Sequence, residues 1–263
     1  MNKTNPFHKT VSKSGLQKPA LSVLTAYDFP SAQIAQKVGV DSILVGDSLA
    51  NVVLGHSSTR DVGMPEMCLF TSAVRRGAPD IHIISDMPYG ADKTPELAIE
   101  NAQKLIDAGA DSVKVEGDCI STLRAMVEAK IPVVGHLGLT PQTAKSYKQV
   151  GQSDAEAESI RKAVKAFEEI GLIAFVIEHV PSQLAEEISA NSLIPCIGIG
   201  AGVMTDAQVM VFHDVLGIYG TKVPPIAHAF SDLQTEMLKG VEAYHQWVKS
   251  RTSLKALKDS KRF

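Results

Sequence analysis

The sequence predicts an α/β protein built as a (β/α)8 TIM barrel, and three observations lead to that prediction. Short apolar runs alternate with longer amphipathic segments along the chain. These runs are apolar throughout, as expected for strands buried on both faces of a parallel sheet. Eight such pairs within 263 residues amount to about 33 residues each, a common size for this barrel. A doubly wound open sheet is the alternative.

Eight apolar runs are predicted to form the strands of the barrel, and the last of them is the least clear. They cover Leu21–Ala26, Ser42–Val45, Ile81–Ser85, Ser112–Val115, Ile131–Gly135, Ile173–Ile177, Ile194–Ile199 and Val209–Val215.

Helices are predicted between these strands, and two of them have clear boundaries. Thr94-Pro95-Glu96 combines an N-cap, a first-turn proline and a first-turn acid, so it predicts a helix that ends at Gly109. A second helix is predicted over Ala155–Ile170, with Gly171 placed to end it. Its apolar stripe consists of Ile160, Val164, Phe167 and Ile170.

Composition excludes several classes of protein. The net charge of -3 argues against a nucleic-acid-binding protein, which would usually be strongly basic. No apolar run approaches the roughly 20 residues that cross a bilayer, and the first residues lack the apolar core of a secretory signal. Cys68, Cys119 and Cys196 show no metal-finger or disulfide spacing. We therefore expect a soluble cytoplasmic protein.

The chain is predicted to form a single domain over residues 1–263, since no linker or repeat interrupts it. The first fifteen or so residues are polar and are expected to wrap the barrel or fray. Residues 248–263 form a basic tail, for which a solvated or subunit-contacting helix end is favoured over a site for an anionic partner. Its cations are Lys249, Arg251, Lys255, Lys258, Lys261 and Arg262.

Polar side chains follow five of the predicted strands. The carboxyl ends of parallel barrel strands open onto one face, where the active sites of this fold lie. A single acid there would commonly be a helix N-cap, but five such positions around the ring indicate an active site. These positions hold Asp47 with Ser48, Asp86, Glu116, His136 and Glu178.

Three of these side chains suggest a metal site. Asp47, Asp86 and Glu116 offer the hard oxygen ligands that Mg²⁺ or Mn²⁺ prefers. Clustered carboxylates without a cation would repel one another and raise a pKa. The alternative is that these acids cap helices or pair with Lys114 and nearby arginines.

The remaining polar residues suggest how a substrate is handled. Lys114 and Glu116 are two positions apart on a strand, so both side chains are expected to point into the barrel mouth. Lys114 then holds an anionic substrate or, alternatively, forms a Schiff base. Glu178 is available as a proton acceptor, and His136 either shares that role or is structural. The glycines of Gly198-Ile199-Gly200-Ala201-Gly202 indicate a phosphate site or a tight turn.

Several segments carry specific motifs, in order from about residue 20 to residue 220. The most specific is Gly135-His136-Leu137-Gly138-Leu139-Thr140-Pro141-Gln142. The others are Thr25-Ala26-Tyr27-Asp28, Leu44-Val45-Gly46-Asp47-Ser48, Gly55-His56 with Ser58-Thr59, Val74-Arg75-Arg76-Gly77-Ala78-Pro79, Val113-Lys114-Val115-Glu116-Gly117, Glu178 before Val180-Pro181, Ile197-Gly198-Ile199-Gly200-Ala201-Gly202, and His213-Asp214 with Leu216-Gly217. Together these segments resemble the ketopantoate hydroxymethyltransferase (3-methyl-2-oxobutanoate hydroxymethyltransferase) family.

The resemblance implies a barrel of the phosphoenolpyruvate mutase/isocitrate lyase type that assembles as a homodecamer, a pentamer of dimers. It implies transfer of a one-carbon unit from 5,10-methylenetetrahydrofolate to 3-methyl-2-oxobutanoate, which yields 2-dehydropantoate for pantothenate biosynthesis. One Mg²⁺ per subunit would be held by Asp47, Asp86 and Glu116, with Glu178 as the proton acceptor. The keto acid would be bound by Asp47, Ser48, Asp86 and Lys114, with His136 orienting the keto acid or the folate.

The sequence departs from the family pattern at three places. Residues Ser146-Tyr147-Lys148-Gln149-Val150-Gly151-Gln152 are shorter and poorer in glycine than the family's stretch, Asp118 replaces a glycine, and Val223-Pro224-Pro225-Ile226 replaces a Pro-Lys-Phe. These changes fall in predicted loops and bear on the folate contacts. Two alternative functions remain: a Mg²⁺-dependent C–C lyase or mutase that acts without folate, and a catalytically silent barrel.

Overall fold

The computed structural model describes residues 5–7, 20–219, 227–251 and 253. The chain divides into two compact units, Met1–Phe212 and His213–Phe263. In the first unit, eight parallel strands close into a barrel in the order β1-β2-β3-β4-β5-β6-β7-β8, with β8 pairing to β1. The predicted (β/α)8 class is confirmed, while one domain over the whole chain stays a prediction.

The elements of the described residues follow one another in strict alternation through most of the barrel. In chain order they are β1 (Leu21–Thr25), α1 (Phe29–Val38), β2 (Ser42–Val45), α2 (Leu49–Val52), a 3-10 turn (Thr59–Asp61), α3 (Met64–Gly77), β3 (His82–Asp86), α4 (Pro95–Asp107), β4 (Ser112–Glu116), α5 (Ile120–Glu128), β5 (Val133–Gly138), α6 (Asp154–Ile170), β6 (Ala174–Glu178), α7 (Ser182–Asn191), β7 (Cys196–Ile199), β8 (Ala207–Met210), α8 (Phe212–Leu216) and α9 (Leu233–Ser250).

Seven predicted strands coincide with observed ones to within a few residues, but the boundaries of the eighth were wrong. The predicted run Val209–Val215 is divided between β8, which ends at Met210, and helix α8, which begins at Phe212. Strand β8 is short because its pairing with β1 ends at Met210. The backbone N–H of Phe212 then donates to Thr25 Oγ1 at 2.8 Å instead of continuing the ladder.

The two marked helices form as predicted, with small differences at their ends. The Thr94 side chain accepts a hydrogen bond from the backbone of Leu97 at 3.2 Å, and α4 ends at Asp107, two residues before the expected end. Helix α6 ends at Ile170, and Gly171, the residue after it, has a φ of 83°. Glycine readily adopts this left-handed backbone conformation, which closes the last turn of a helix. All four residues of the predicted α6 stripe are buried.

Successive side chains of each strand point to opposite faces of the sheet, and this alternation produces two apolar layers. Outward-facing residues such as Val113 and Val115 pack in the layer between the sheet and the helices. Inward-facing residues fill the barrel itself; they include Val23, Leu44, Ile84, Val134, Ala174, Val176, Ile197, Ala207 and Val209. Lys114 and Glu116 alternate with Val113 and Val115, so they face into the barrel, as predicted.

The predictions for the two ends of the chain fall largely outside the described residues. Of the polar N-terminal segment, residues 5–7 are described, and the Phe7 ring packs edge-on against His82 with centroids 5.6 Å apart. Of the basic tail, residues 248–251 and 253 are described, and Val248 to Ser250 belong to α9. The replacement at Val223–Ile226 also lies outside the described residues. No helix in the described ranges has the length and apolar character needed to span a bilayer.

Arg75 joins three parts of the barrel wall, and its replacement is expected to destabilise the fold. Its guanidinium pairs with Asp111 and donates to the carbonyl oxygens of Gly109 at 2.7 Å and Ile81 at 2.9 Å. Loss of these partly buried bonds in Arg75→Met should lower the free energy of unfolding by about 3 kcal/mol. Urea unfolding measures this loss. The adjacent exposed Arg76 provides the matched control, Arg76→Met, and equal losses in the two variants would contradict the assignment.

Candidate active site

The predicted site residues come together at the carboxyl ends of the strands. Asp86, Glu116 and Glu178 are the last residues of β3, β4 and β6. Asp47 and Ser48 follow β2, and Lys114 and His136 lie within β4 and β5. Asp47, Asp86, Lys114, His136 and Glu178 are all buried. None of the four carboxylates is the N-cap of a described helix, so helix capping does not explain them.

Lys114 forms the centre of one half of the site. Its Nζ lies 3.0 Å from Asp86 Oδ1, and the other Asp86 oxygen accepts the backbone N–H of Asp47 at 3.0 Å. Burial by itself would lower the pKa of Lys114, but the nearby carboxylates of Asp86, Glu116 and Asp47 outweigh it and raise that pKa. The amine therefore stays protonated. This argues against a Schiff-base role, which needs a neutral amine.

His136 connects that half of the site to Glu178. Its Nδ1 lies 3.4 Å from Glu116 Oε1 and 3.3 Å from Lys114 Nζ, and its Nε2 lies 3.2 Å from Glu178 Oε2. The last contact is close, but it is not aligned as a hydrogen bond. Burial and Lys114 both act to lower the pKa of His136, yet the two carboxylates raise it to about 9. Burial acts to raise the pKa of Glu116. The hydrogen bond and the charge of His136 outweigh this effect, so the pKa of Glu116 is lowered.

Two residues that were not predicted as site residues also contribute to the site. Gln142 is buried; its Nε2 donates to Asp47 Oδ2 at 2.7 Å, and its backbone N–H donates to Glu116 Oε2 at 3.1 Å. The Tyr27 hydroxyl lies 2.8 Å from Ser48 Oγ. Both residues belong to segments that carry the family resemblance. Their presence in those segments was the available signal.

The chemistry of Asp47 and Asp86 fits a divalent cation. Burial first, and then the charges of Asp86 and Glu116, raise the pKa of Asp47 to about 8 against the opposing effects of Lys114 and Gln142. A cation would relieve this repulsion. Among the described residues, no three His, Cys, Asp or Glu side chains are arranged to hold an ion. Mg²⁺, however, commonly binds through only one or two carboxylates and otherwise keeps its waters.

The glycine-rich segment after β7 forms a tight turn. Gly200 and Gly202 have φ values of 57° and 81°. A Cβ on Gly198 would lie 2.6 Å from Thr205 Oγ1, and a Cβ on Gly202 would lie 2.6 Å from the Cβ of Ser182. Turn geometry and close packing therefore account for these glycines without a phosphate ligand.

The raised pKa of Asp47 predicts a specific pH dependence for the metal-free protein. Between the ordinary pKa of 3.8 and the folded value of about 8, the folded chain retains a proton that the unfolded chain has released. Stability contributed by this group therefore falls as pH rises through that window. In a chelator, the Tm of the wild type minus that of Asp47→Asn should decrease across this range and then level off. A difference that is independent of pH would contradict the assignment.

Comparison with known proteins gives consistent results. Residues 8–253 match the family model described as ketopantoate hydroxymethyltransferase. A protein of Thermus thermophilus, named 3-methyl-2-oxobutanoate hydroxymethyltransferase, is 45% identical over 235 residues, which cover 87% of this chain and 90% of the relative. A protein of the same name from Geobacillus sp. (strain WCH70) is 46% identical over 236 residues, covering 87% and 85%.

Among solved structures, the barrel is similar to members of the group expected from the sequence. A phosphoenolpyruvate phosphomutase from Streptomyces platensis subsp. rosaceus superposes with a TM-score of 0.61 at 12% identity, covering 92% of this chain and 90% of that one. A 2,3-dimethylmalate lyase, described as a PEP mutase/isocitrate lyase superfamily member, gives 0.57 at 14%, covering 90% and 85%. These likenesses support the fold alone. By the family match and the identity to curated relatives, the chain belongs to the ketopantoate hydroxymethyltransferase family of enzymes.

Proposed function

We propose that this protein transfers a one-carbon unit from 5,10-methylenetetrahydrofolate to 3-methyl-2-oxobutanoate. The products are 2-dehydropantoate, a precursor in pantothenate biosynthesis, and tetrahydrofolate. One observation carries the proposal beyond the family match. Lys114, Asp47 and Asp86 gather on β2–β4, and Glu178 stands across His136 on β6, with the Glu178 and His136 side chains 3.2 Å apart. The carboxylate end of a small keto acid can therefore contact the β2–β4 residues while its C3 end contacts Glu178.

The charged end of the keto acid would lie at the β2–β4 side. The Lys114 ammonium and the Ser48 hydroxyl would hold its carboxylate, and the Tyr27 hydroxyl fixes Ser48 at 2.8 Å. The C3 carbon would then point towards Glu178. His136 lies between the Glu116 and Glu178 carboxylates, so we assign it to orienting the substrate and leave the role of proton acceptor to Glu178.

The reaction balances with one water. The C3–H bond of the keto acid breaks and its proton passes to a Glu178 carboxylate oxygen, while the electron pair forms a bond to the methylene carbon. Both C–N bonds of that carbon are replaced, one by the new C–C bond and one by a C–O bond from water. The C3 proton and one water proton end on the two folate nitrogens, and the other water proton remains in the new hydroxyl group.

One Mg²⁺ per subunit, held by Asp47 and Asp86, is part of the proposal. Bound there, the cation would offset the negative charge that loss of the C3 proton places on the keto oxygen. Glu116 is already engaged by His136 and by the backbone of Gln142. Mg²⁺ commonly takes only one or two carboxylates directly, and we propose that Glu116 is the member of the set that contributes through water.

Assembly as a homodecamer, a pentamer of dimers, in the cytoplasm completes the proposal. Apolar side chains exposed on α1 and α3, namely Phe29, Ile34, Val38 and Leu69, would be covered by other subunits. Cys68, Cys119 and Cys196 form no disulfide with one another, which suits a reducing compartment. Native mass spectrometry measures the assembly, and a monomer at micromolar concentration would contradict it.

The experiment that tests the proposed function follows C3 proton exchange of 3-methyl-2-oxobutanoate in deuterated water by NMR. Exchange should require Mg²⁺ and stop in a chelator, and 2-dehydropantoate should appear only when 5,10-methylenetetrahydrofolate is added. Conversion of another 2-oxo acid without folate, with no 2-dehydropantoate formed when folate is present, would favour the lyase or mutase alternative. Absence of both exchange and product with saturating Mg²⁺ and folate would overturn the proposal.

A further inference from the structure

The residue after Glu178 adopts an unusual backbone conformation. His179 has a φ of 48°, in the left-handed region that residues other than glycine seldom adopt. Its N–H donates to the Ile199 carbonyl at 2.9 Å, and its own carbonyl accepts from Val150 at 3.1 Å. The Glu178 carbonyl accepts from Leu139 at 2.8 Å. The end of β7 and the β5–α6 loop thus hold the backbone of this turn.

The His179 ring stacks on Tyr147, and these two residues are called the His179–Tyr147 pair below. Their centroids are 5.3 Å apart and the ring planes differ by 25°. Tyr147 belongs to the loop between β5 and α6, and 52% of its surface is exposed. His179 Nδ1 is buried and makes no hydrogen bond within the described part of the chain. The pair therefore offers aromatic surface at the residue that follows Glu178 in the chain.

The proposed reaction places the folate next to this pair. The keto acid's charged end is held on the β2–β4 side, so C3 lies on the Glu178 side of the mouth. The methylene carbon must reach C3, and in 5,10-methylenetetrahydrofolate that carbon is bonded to the nitrogens of the pterin and the aminobenzoyl group. Both ring systems must therefore lie within a few bonds of Glu178, on its open side.

We propose that the His179–Tyr147 pair is the surface on which the folate rings lie. The inference rests on the proposed function and assigns residues to its cosubstrate. Planar rings stack favourably on aromatic side chains. Lys145 and Lys148 flank Tyr147 in the same loop and are exposed, which suits the anionic glutamate of the folate.

The opposite rim provides a matched control. The Arg60 guanidinium carbon lies 4.0 Å from the centroid of the Tyr89 ring, and 41% of Tyr89 is exposed. These residues are in the loops after β2 and β3, on the side assigned to the charged end of the keto acid. Tyr89→Ala removes a similar exposed ring from the site's other side.

The test compares Tyr147→Ala, His179→Asn and Tyr89→Ala in the Mg²⁺-loaded enzyme. Asparagine is chosen because it tolerates the left-handed conformation and so preserves the turn. The first two variants should raise the KM for 5,10-methylenetetrahydrofolate by about tenfold, within the usual range for loss of one stacked ring. C3 exchange measured without folate should be retained in both. Tyr89→Ala should leave the folate KM unchanged.

Each other outcome overturns the inference. An unchanged folate KM in Tyr147→Ala and His179→Asn would remove the pair from the folate site. A parallel fall in exchange and in folate affinity would assign the pair a structural role around Glu178. An equal rise in KM for Tyr89→Ala would place the rings on the other rim. A wild type that exchanges no C3 proton would instead refute the proposed function itself.

Discussion

Replacement of Glu178 by glutamine is expected to slow C3 proton exchange by about 10³-fold, within the range found for loss of a general base. Glutamine keeps the shape of the side chain but cannot accept the proton. We do not expect His136 to substitute, because the Glu116 carboxylate beside its Nδ1 raises its pKa and favours its protonated form. Exchange is measured by NMR in deuterated water with saturating Mg²⁺ and keto acid. Keto-acid affinity should change much less than the exchange rate.

The control for this variant is Glu169→Gln, since Glu169 is an exposed carboxylate on α6. Its exchange rate should equal that of the wild type. If Glu178→Gln retained full exchange, the proton acceptor would have to be another group. If instead its Tm fell together with its rate, the loss would be attributed to folding.

Replacement of Lys114 by methionine is expected to have the largest effect on stability. Lys114 is 5% exposed, and its Nζ lies 3.0 Å from Asp86 Oδ1. Without the ammonium, the buried Asp86 carboxylate loses its counter-charge, and removal of one partner from a buried ion pair typically costs about 3–5 kcal/mol. We expect a loss in that range by urea unfolding in a chelator, together with loss of keto-acid binding.

A second substitution separates charge from packing. In Lys114→Met/Asp86→Asn the unpaired carboxylate is also removed, so the double variant should be more stable than Lys114→Met by about 1 kcal/mol or more. Lys165→Met on the exposed face of α6 should leave stability unchanged. If the double variant were instead less stable than Lys114→Met, the charge argument would be wrong.

Much of the fold was predictable because each buried strand appears in the sequence as a short apolar run. The apolar runs identified seven strands to within a few residues, and the polar residues that follow them lie together at the mouth. The eighth strand was misplaced because apolar content does not distinguish a short strand from the helix after it. Pairing of β8 with β1 ends at Met210, and this depends on closure of the barrel.

The sequence by itself determined the barrel class, the family and the residues that face the mouth, since each depends on periodicity or on ordered motifs. Only the tertiary structure decided which of those residues touch. Gln142 reaches Asp47 across 95 residues of chain, and His136 lies between Glu116 and Glu178. The stacking of His179 on Tyr147 likewise depends on a left-handed turn held by β7 and the β5–α6 loop. Such contacts form because the closed barrel brings together strand ends that are far apart in the chain. The local sequence pattern does not encode the distances between them.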